Sequence, residues 1–327
     1  MPTTTPWPAN ATPHRPSMAS ARSTAMHPPL QPTKSQRCAR HSTKTRRISS
    51  TSTQALCSRA RFMSSSTTNR ERHTMGKKVM ITGAGSGFGK GAALALAARG
   101  HDVIATTETE AQAEALRKEA SNICVEKVDI TNPADMDKVR NWDIDVLINN
   151  AGAGETGPMS DVPMARLRRV FEVNVFGTVA VTQAALPKMV AKGSGRIIIV
   201  SSIAGVMAGP AFGPYSMTKH ALEAMGKAMR AEMAPQGIDV CLLNPGPYNT
   251  GFNDRMADTM WEWFDDKAIN APNRDMHLMM KDLVTTNQMD PQEVVQRMVE
   301  LVEADATTEN NFVPANIVEM LSGAAPN

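Results

Sequence analysis

From Lys77 onward, short runs of apolar residues alternate with longer stretches of helical period. Val79-Met80-Ile81 leads into an Ala-rich helical pattern reaching Arg99, and Val103-Ile104-Ala105 into another over 110–120. Residues 123–128 precede a short helix over 133–139, and Val146-Leu147-Ile148 precedes a long one over 162–191. Residues 197–200 precede a helix from Tyr215, and Val240-Cys241-Leu242-Leu243 is the sixth run. Most runs are apolar at consecutive positions, so the strands they predict are buried on both faces, as in a parallel sheet covered by helices. Right-handed crossovers then predict an α/β fold with a single doubly wound parallel sheet and ligands at the carboxyl ends of its strands.

Charge separates the chain into two parts. Residues 1–75 hold twelve of the 35 Lys and Arg but one of the 32 acids, Glu71, for a net charge of +11. The remaining 252 residues hold 23 basic and 31 acidic side chains, a net −8. The basic balance therefore belongs to the tail, and the folded part is not expected to bind nucleic acid. With 42% hydrophobic residues, a chain of this length buries a sizeable core without a disulfide scaffold.

The tail is rich in Ser, Thr, Pro and Arg, lacks hydrophobic periodicity, and is expected to be disordered. Three readings stay open for it. An Arg-rich, acid-poor composition suits a mitochondrial or plastid transit peptide. Alternatively the natural start is Met75, because Met75-Gly76-Lys77-Lys78 leads straight into the first strand, which implies a cytoplasmic protein. A polycation for nucleic acid or anionic membrane is the third, though Trp7 and Phe62 are its only large aromatics.

The four cysteines, Cys38, Cys57, Cys124 and Cys241, form no C-x-x-C pair, which fits a reducing compartment. Cys124 and Cys241 lie in strand-like runs and are expected to be buried, inert thiols. Residues 197–218 carry no charge, but Ser201, Ser202, Gly205, Gly209, Pro210, Gly213 and Pro214 break any apolar helix there. A strand and a loop are expected rather than a membrane span.

At the end of the first predicted strand stands Thr82-Gly83-Ala84-Gly85-Ser86-Gly87-Phe88-Gly89. Glycines where a strand turns into a helix allow a tight turn, close approach of backbone to a pyrophosphate, and close helix packing, while the helix amino terminus favours phosphate. Thr-Gly-x-x-x-Gly-x-Gly resembles the short-chain dehydrogenase/reductase family. The family's order continues with Asp129-Ile130, Asn149-Asn150-Ala151-Gly152, Asn174, Ser202, Tyr215-x-x-x-Lys219 and Pro245-Gly246, over about residues 76–305. The resemblance implies a Rossmann-type domain over 76–327 with seven strands. It implies that Asp129 contacts the adenine, that Asn150 to Gly152 line the adenosine ribose, and that Thr250 meets the nicotinamide carboxamide. It also implies a homodimer or homotetramer. The carboxyl end departs from the family: Asn311-Phe312-Val313-Pro314 stands where a last strand is expected, with no Val-Asp-Gly-Gly after it.

NAD and NADP are distinguished after the second strand, in Ala105-Thr106-Thr107-Glu108. An acid there bonds the ribose 2′-hydroxyl and a base accepts a 2′-phosphate. Thr107 stands where NAD users show Asp, and Glu108 where many NADP users show Arg. A carboxylate about 4 Å from a phosphate costs about 4 kcal/mol at an effective dielectric of 20, so NAD is favoured unless Glu108 is a solvated helix-start acid that turns away.

The chain has two tyrosines, and only Tyr215 has a lysine at i+4, one helical turn away on the same face. Interconverting a hydroxyl and a carbonyl requires a proton at oxygen as hydride moves at carbon, and a phenol near pKa 10 needs help to act as a base at neutral pH. Lys219 is expected to supply it and to bond the nicotinamide ribose, with Ser202 bonding the substrate oxygen. By the resemblance alone, Asn174 orders a water in a proton relay. Ser201 is expected to be satisfied by backbone. No G-x-S-x-G elbow supports a Ser/His/Asp hydrolase, and His220 is expected on the helix surface. Residues 251–289, with Phe252, Met256, Met260, Trp261, Trp263, Phe264, Met276, Met279 and Met280, suit a lid over a moderately apolar alcohol or ketone; a helix packed on the core explains the same residues. A non-catalytic nucleotide sensor or scaffold on the same fold is the rival reading.

Overall fold

The computed structural model describes residues 76–322. The tail over 1–75 lies outside the described residues. Seven strands, β1 (Lys78–Ile81), β2 (Asp102–Thr107), β3 (Cys124–Lys127), β4 (Val146–Asn149), β5 (Gly195–Val200), β6 (Ile238–Pro245) and β7 (Asn310–Val313), form one sheet in the order β3-β2-β1-β4-β5-β6-β7. Every pairing is parallel. The strand order reverses between β1 and β4, and a doubly wound sheet opens a crevice at that point. The segment at 311–313 is indeed a strand, paired with β6 from Leu242↔Asn310 to Pro245↔Val313.

Helices cover both faces: α1 (Gly87–Ala98), α2 (Glu110–Glu119), α3 (Met136–Asn141), α4 (Met164–Phe171), α5 (Thr178–Lys192), α6 (Gly213–Met233), α7 (Phe252–Asp258), α8 (Arg274–Thr286), α9 (Gln292–Glu303) and α10 (Ile317–Ser322). Successive strand residues point to opposite sides. Val79, Ile81, Val146, Ile148 and Ile198 thus pack with α1, α2 and α9 in one core. Met80, Leu147, Ile197, Ile199 and Leu242 pack with α3, α5 and α6 in the other. The consecutive apolar runs are what two cores require. Thr109 and Gln112 close a reciprocal capping box at the start of α2, which fixes where β2 ends and the helix begins.

Two local expectations fail. Cys241 is buried but Cys124 is exposed, because β3 is the outermost strand and Cys124 lies at its start. The long helix is also not uniform: a π-helical turn, Glu172–Gly177, interrupts it between α4 and α5. The whole run Met164–Lys192 is long and apolar enough to cross a membrane by length and composition alone. Its apolar side is taken up inside the domain, where Val181, Ala184, Ala185 and Met189 pack in the second core.

One buried guanidinium ties α9 to the sheet. Arg196 of β5 donates to the carbonyls of Leu301 (2.6 Å), Ala304 (2.7 Å) and Asp305 (3.1 Å) and to Asp239 (3.0 Å). It thereby satisfies carbonyls that the carboxyl end of α9 leaves without helical partners. Arg196→Ala strips those groups of their donor and leaves Asp239 less compensated; a loss of about 3 kcal/mol is expected, measured as a lower urea midpoint of unfolding.

Candidate active site

The carboxyl end of β1 is built from hydrogen bonds between two loops. Thr82 is buried, and its hydroxyl accepts from the backbone N–H groups of Asn150 and Ala151, both at 3.0 Å. Asn150 in return donates its carboxamide to the carbonyls of Thr82 (2.9 Å) and Gly83 (3.1 Å). Gly83 sits at φ +68°, and a Cβ there would stand 2.7 Å from the Ala151 backbone, so only glycine fits this approach. Ser86, at the amino-terminal cap of α1, makes no side-chain cap. The first N–H groups of that helix are therefore left for another acceptor.

Gly85, Ser86, Gly87 and Phe88 line a cavity of about 940 Å³ that continues past Glu108, Asp129, Ile130, Asn150, Ala151 and Gly152 to Ser202, Tyr215 and Lys219, with Pro245, Gly246 and Thr250 on the far wall. An uncapped helix start opening into a long cavity fits a dinucleotide diphosphate. Gly83 also lines the cavity, but Thr82, Gly89 and Thr107 do not. Thr82 and Gly89 serve the turn itself, Gly89 lying against the Asn150 carboxamide. Thr107 is fully buried and donates to the Thr109 carbonyl at 3.0 Å, so it shapes the end of β2 from inside. Glu108 is exposed at the rim, its carboxylate 3.9 Å from the guanidinium of Arg169. Asp129 accepts from the backbone N–H (2.9 Å) and hydroxyl (2.7 Å) of Thr131, which orients its carboxylate.

The chemistry-bearing side chains come from the turn after β5, which carries Ser202, and from α6. Tyr215 and Lys219 are buried one turn apart, and the Lys219 ammonium stands 5.5 Å from the centre of the Tyr215 ring and donates to the Val200 carbonyl at 2.8 Å. Burial pushes the Tyr215 phenol above its usual pKa, and a hydrogen bond from Ser202 pulls the other way. Burial likewise lowers Lys219 to about 8, opposed by the charge of Glu223. Burial is thus the largest influence on the Tyr215 phenol.

Asn174 lies in the π-helical turn, fully buried and behind the cavity wall. Its carboxamide accepts from the Ala153 N–H (2.7 Å) and donates to the Ala153 carbonyl (2.9 Å) and the Thr218 hydroxyl (3.0 Å). It holds the loop after β4 against α6, behind the residues that line the cavity. Ser201 departs from expectation, its buried hydroxyl having no hydrogen-bond partner among the described residues. His220 is exposed, as its position predicts.

Residues 77–261 match the family model for short chain dehydrogenases. The chain belongs to the short-chain dehydrogenase/reductase family. It is 37% identical to the uncharacterised oxidoreductase YusZ of Bacillus subtilis, over 61% of this chain and 75% of that one. It is 46% identical to the NADPH-dependent 3-dehydrocapnine reductase of Ornithobacterium rhinotracheale, over 33% of this chain and 39% of the relative. Among solved structures, a short-chain dehydrogenase from Streptomyces avermitilis superposes with a TM-score of 0.63 at 28% identity, covering 76% of this chain and 92% of that one. The chain is accordingly an NAD(P)-dependent dehydrogenase/reductase with the family's sheet.

In this dehydrogenase the segment after β6 divides in two. Phe252 and Met256 of α7 and Met280, Leu283 and Val284 of α8 line the cavity. Met260 and Phe264 are buried instead in a separate cluster with Trp261 and Trp263, away from the cavity wall. Met276 and Met279 do not line it either. Two supporting residues escaped the sequence reading. Glu223 is buried at i+4 from Lys219 and is held by Asn244 (2.6 Å) and Asn310 (2.8 Å); the repeat of charges at one-turn spacing was its only signal. Tyr248 donates to Glu293 at 2.7 Å and meets Phe88 edge-on at 5.8 Å, contacts between distant segments that left no local trace.

The lowered pKa of Lys219 has a sign that stability measurements detect. Below pH 8 the folded protein buries a charged ammonium and carries the full cost. Between about 8 and the usual 10.5 the unfolded chain holds a proton that the folded one has released, so stability rises with pH. Without dinucleotide, Lys219→Met is therefore expected to be more stable than the wild type at pH 7 by up to about 3 kcal/mol, with the difference closing by pH 10.5, as read by denaturant titration at each pH.

Proposed function

We propose that this enzyme transfers hydride between a nicotinamide dinucleotide and a hydroxyl/carbonyl pair on a moderately apolar small molecule. The observation that carries the proposal is the convergence of buried Tyr215 and Lys219 with Ser202 on the same cavity that begins at the uncapped amino terminus of α1. The dinucleotide, when bound, supplies or accepts the hydride. Ser202 orients the substrate oxygen toward Tyr215, which passes the proton to or from it. A phenol pushed up by burial stays protonated at neutral pH, which suits it to donate as a carbonyl is reduced. Lys219, held by Val200, places a positive charge beside the ring and offers its remaining N–H donors to the nicotinamide ribose. Asn174 positions the Ala153 loop and α6, and the relay through water starts behind Lys219 rather than on the cavity wall. The segment over 251–289 acts as the substrate lid through its cavity-facing half, whose Phe252, Met256, Met280 and Val284 select for apolar character.

Tyr215→Phe removes the transferable proton while keeping the ring against Phe252, 5.8 Å away. Turnover in a screen of ketones and alcohols is expected to fall by about 10²–10⁴-fold with dinucleotide binding retained. Unchanged turnover would refute the assignment, and loss of both would move the reading toward a structural role.

For the cofactor we propose NAD, on the charge of Glu108 at the rim. Arg169 beside it favours a second reading, in which the guanidinium accepts a 2′-phosphate and Glu108 swings aside. Fluorescence titration is expected to show tighter binding of NADH than of NADPH, with Glu108→Ala narrowing the gap by about tenfold or more. Tighter NADPH binding by the wild type would establish the second reading.

A further inference from the structure

The cavity is lined by three cations, Arg169, Lys219 and Arg255. Arg169 faces Glu108 at the adenosine end, and Lys219 is buried against Val200 and Tyr215. The guanidinium of Arg255, on α7, has no ion pair or hydrogen bond among the described residues. The acids beside it on the same helix are engaged elsewhere: Asp254 accepts from Gln288, and Asp258 pairs with Lys281.

Geometry decides which part of the cavity this guanidinium serves. Helix α7 presents Phe252 and Met256, four residues apart, to Tyr215. Gly251 and Arg255 are the next such pair, and the Arg255 guanidinium folds back to 2.9 Å from where a Gly251 Cβ would stand. The preceding residue, Thr250, packs on the glycine-rich turn, its side chain 3.3 Å from where a Gly87 Cβ would stand. The turn itself, residues 83–89, contains no basic side chain.

We infer that Arg255 is a clamp for the diphosphate of the dinucleotide, a charge carried by the substrate lid that closes over the phosphates held by the start of α1. This rests on the dinucleotide reading above. A planar guanidinium suits paired phosphate oxygens in a way an ammonium does not.

The test is titration of the full chain with NADH, NADPH and ADP-ribose, comparing wild type, Arg255→Ala and Arg255→Lys. Arg255→Ala is expected to weaken all three ligands by about tenfold or more, because the diphosphate is common to them, with Arg255→Lys in between. Unchanged affinities in Arg255→Ala, alongside binding by the wild type, would overturn the clamp and leave the proposed function standing. A loss confined to NADPH would overturn it in favour of a 2′-phosphate contact. Unchanged dinucleotide affinity with a raised KM for substrate would overturn it in favour of a substrate contact. Failure of the wild type to bind any of the three would overturn the clamp together with the dinucleotide reading.

Discussion

The site depends on one knot of hydrogen bonds at the reversal of strand order. Thr82 and Asn150 exchange side-chain and backbone bonds across the carboxyl ends of β1 and β4, and the turn at Gly83 passes close against Ala151. A parallel sheet leaves the backbone groups at its strand ends to be satisfied by whatever follows. Here the following loops satisfy one another, and this frees the first N–H groups of α1 to face the cavity instead of being capped. This end of the cavity is therefore set by the backbone, with the Thr82 and Asn150 side chains spent on holding it.

The opposite end of the cavity rests on a different balance. Tyr215, Lys219 and Glu223 follow one another at one-turn spacing along α6, all buried. Burial works against ionising the first and against charging the second, and the third partly offsets the cost for Lys219. Glu223 is in turn held by carboxamides from β6 and β7, so the edge of the sheet reaches the lysine through two side chains. The π-helical turn adds Asn174 on the other side, tying the loop after β4 to Thr218. Interruptions of this kind frequently mark functional sites, since an extra residue in a turn redirects a side chain.

Between the two ends lies the segment after β6, which does two jobs with adjacent residues. Its aromatic cluster around Phe264 fixes the segment to the domain, with Trp263 also donating to buried Glu155 at 3.3 Å. On the cavity side, α7 and α8 set Phe252, Met256, Met280, Leu283 and Val284 beside Asn253 and Arg255, and methionine is a side chain that adapts to irregular shapes. Anchoring and cavity lining are thus separated along the chain, although both draw on the same residue types.

By itself the sequence determined the sheet, because six apolar runs buried on both faces, separated by helical periods, admit little besides a doubly wound parallel arrangement. It also located the glycine turn and Tyr215 with Lys219, since a tight turn and an i, i+4 pair are local patterns. What local pattern cannot carry is burial and long-range partnership. Thr107 reads as a cofactor neighbour from its place at the end of β2, yet it is fully buried and its hydroxyl is turned to the Thr109 carbonyl. Cys124 reads as a core thiol, yet its strand is the sheet's edge. Asn174 stands alone in the sequence, and only the π-helical turn sets its carboxamide between the loop after β4 and Thr218. The division of residues 251–289 into an anchor and a cavity wall, the hold of Asn244 and Asn310 on Glu223, and the approach of Thr250 to the glycine turn were decided only when distant segments packed together, because desolvation and contact belong to the fold and not to spacing along the chain.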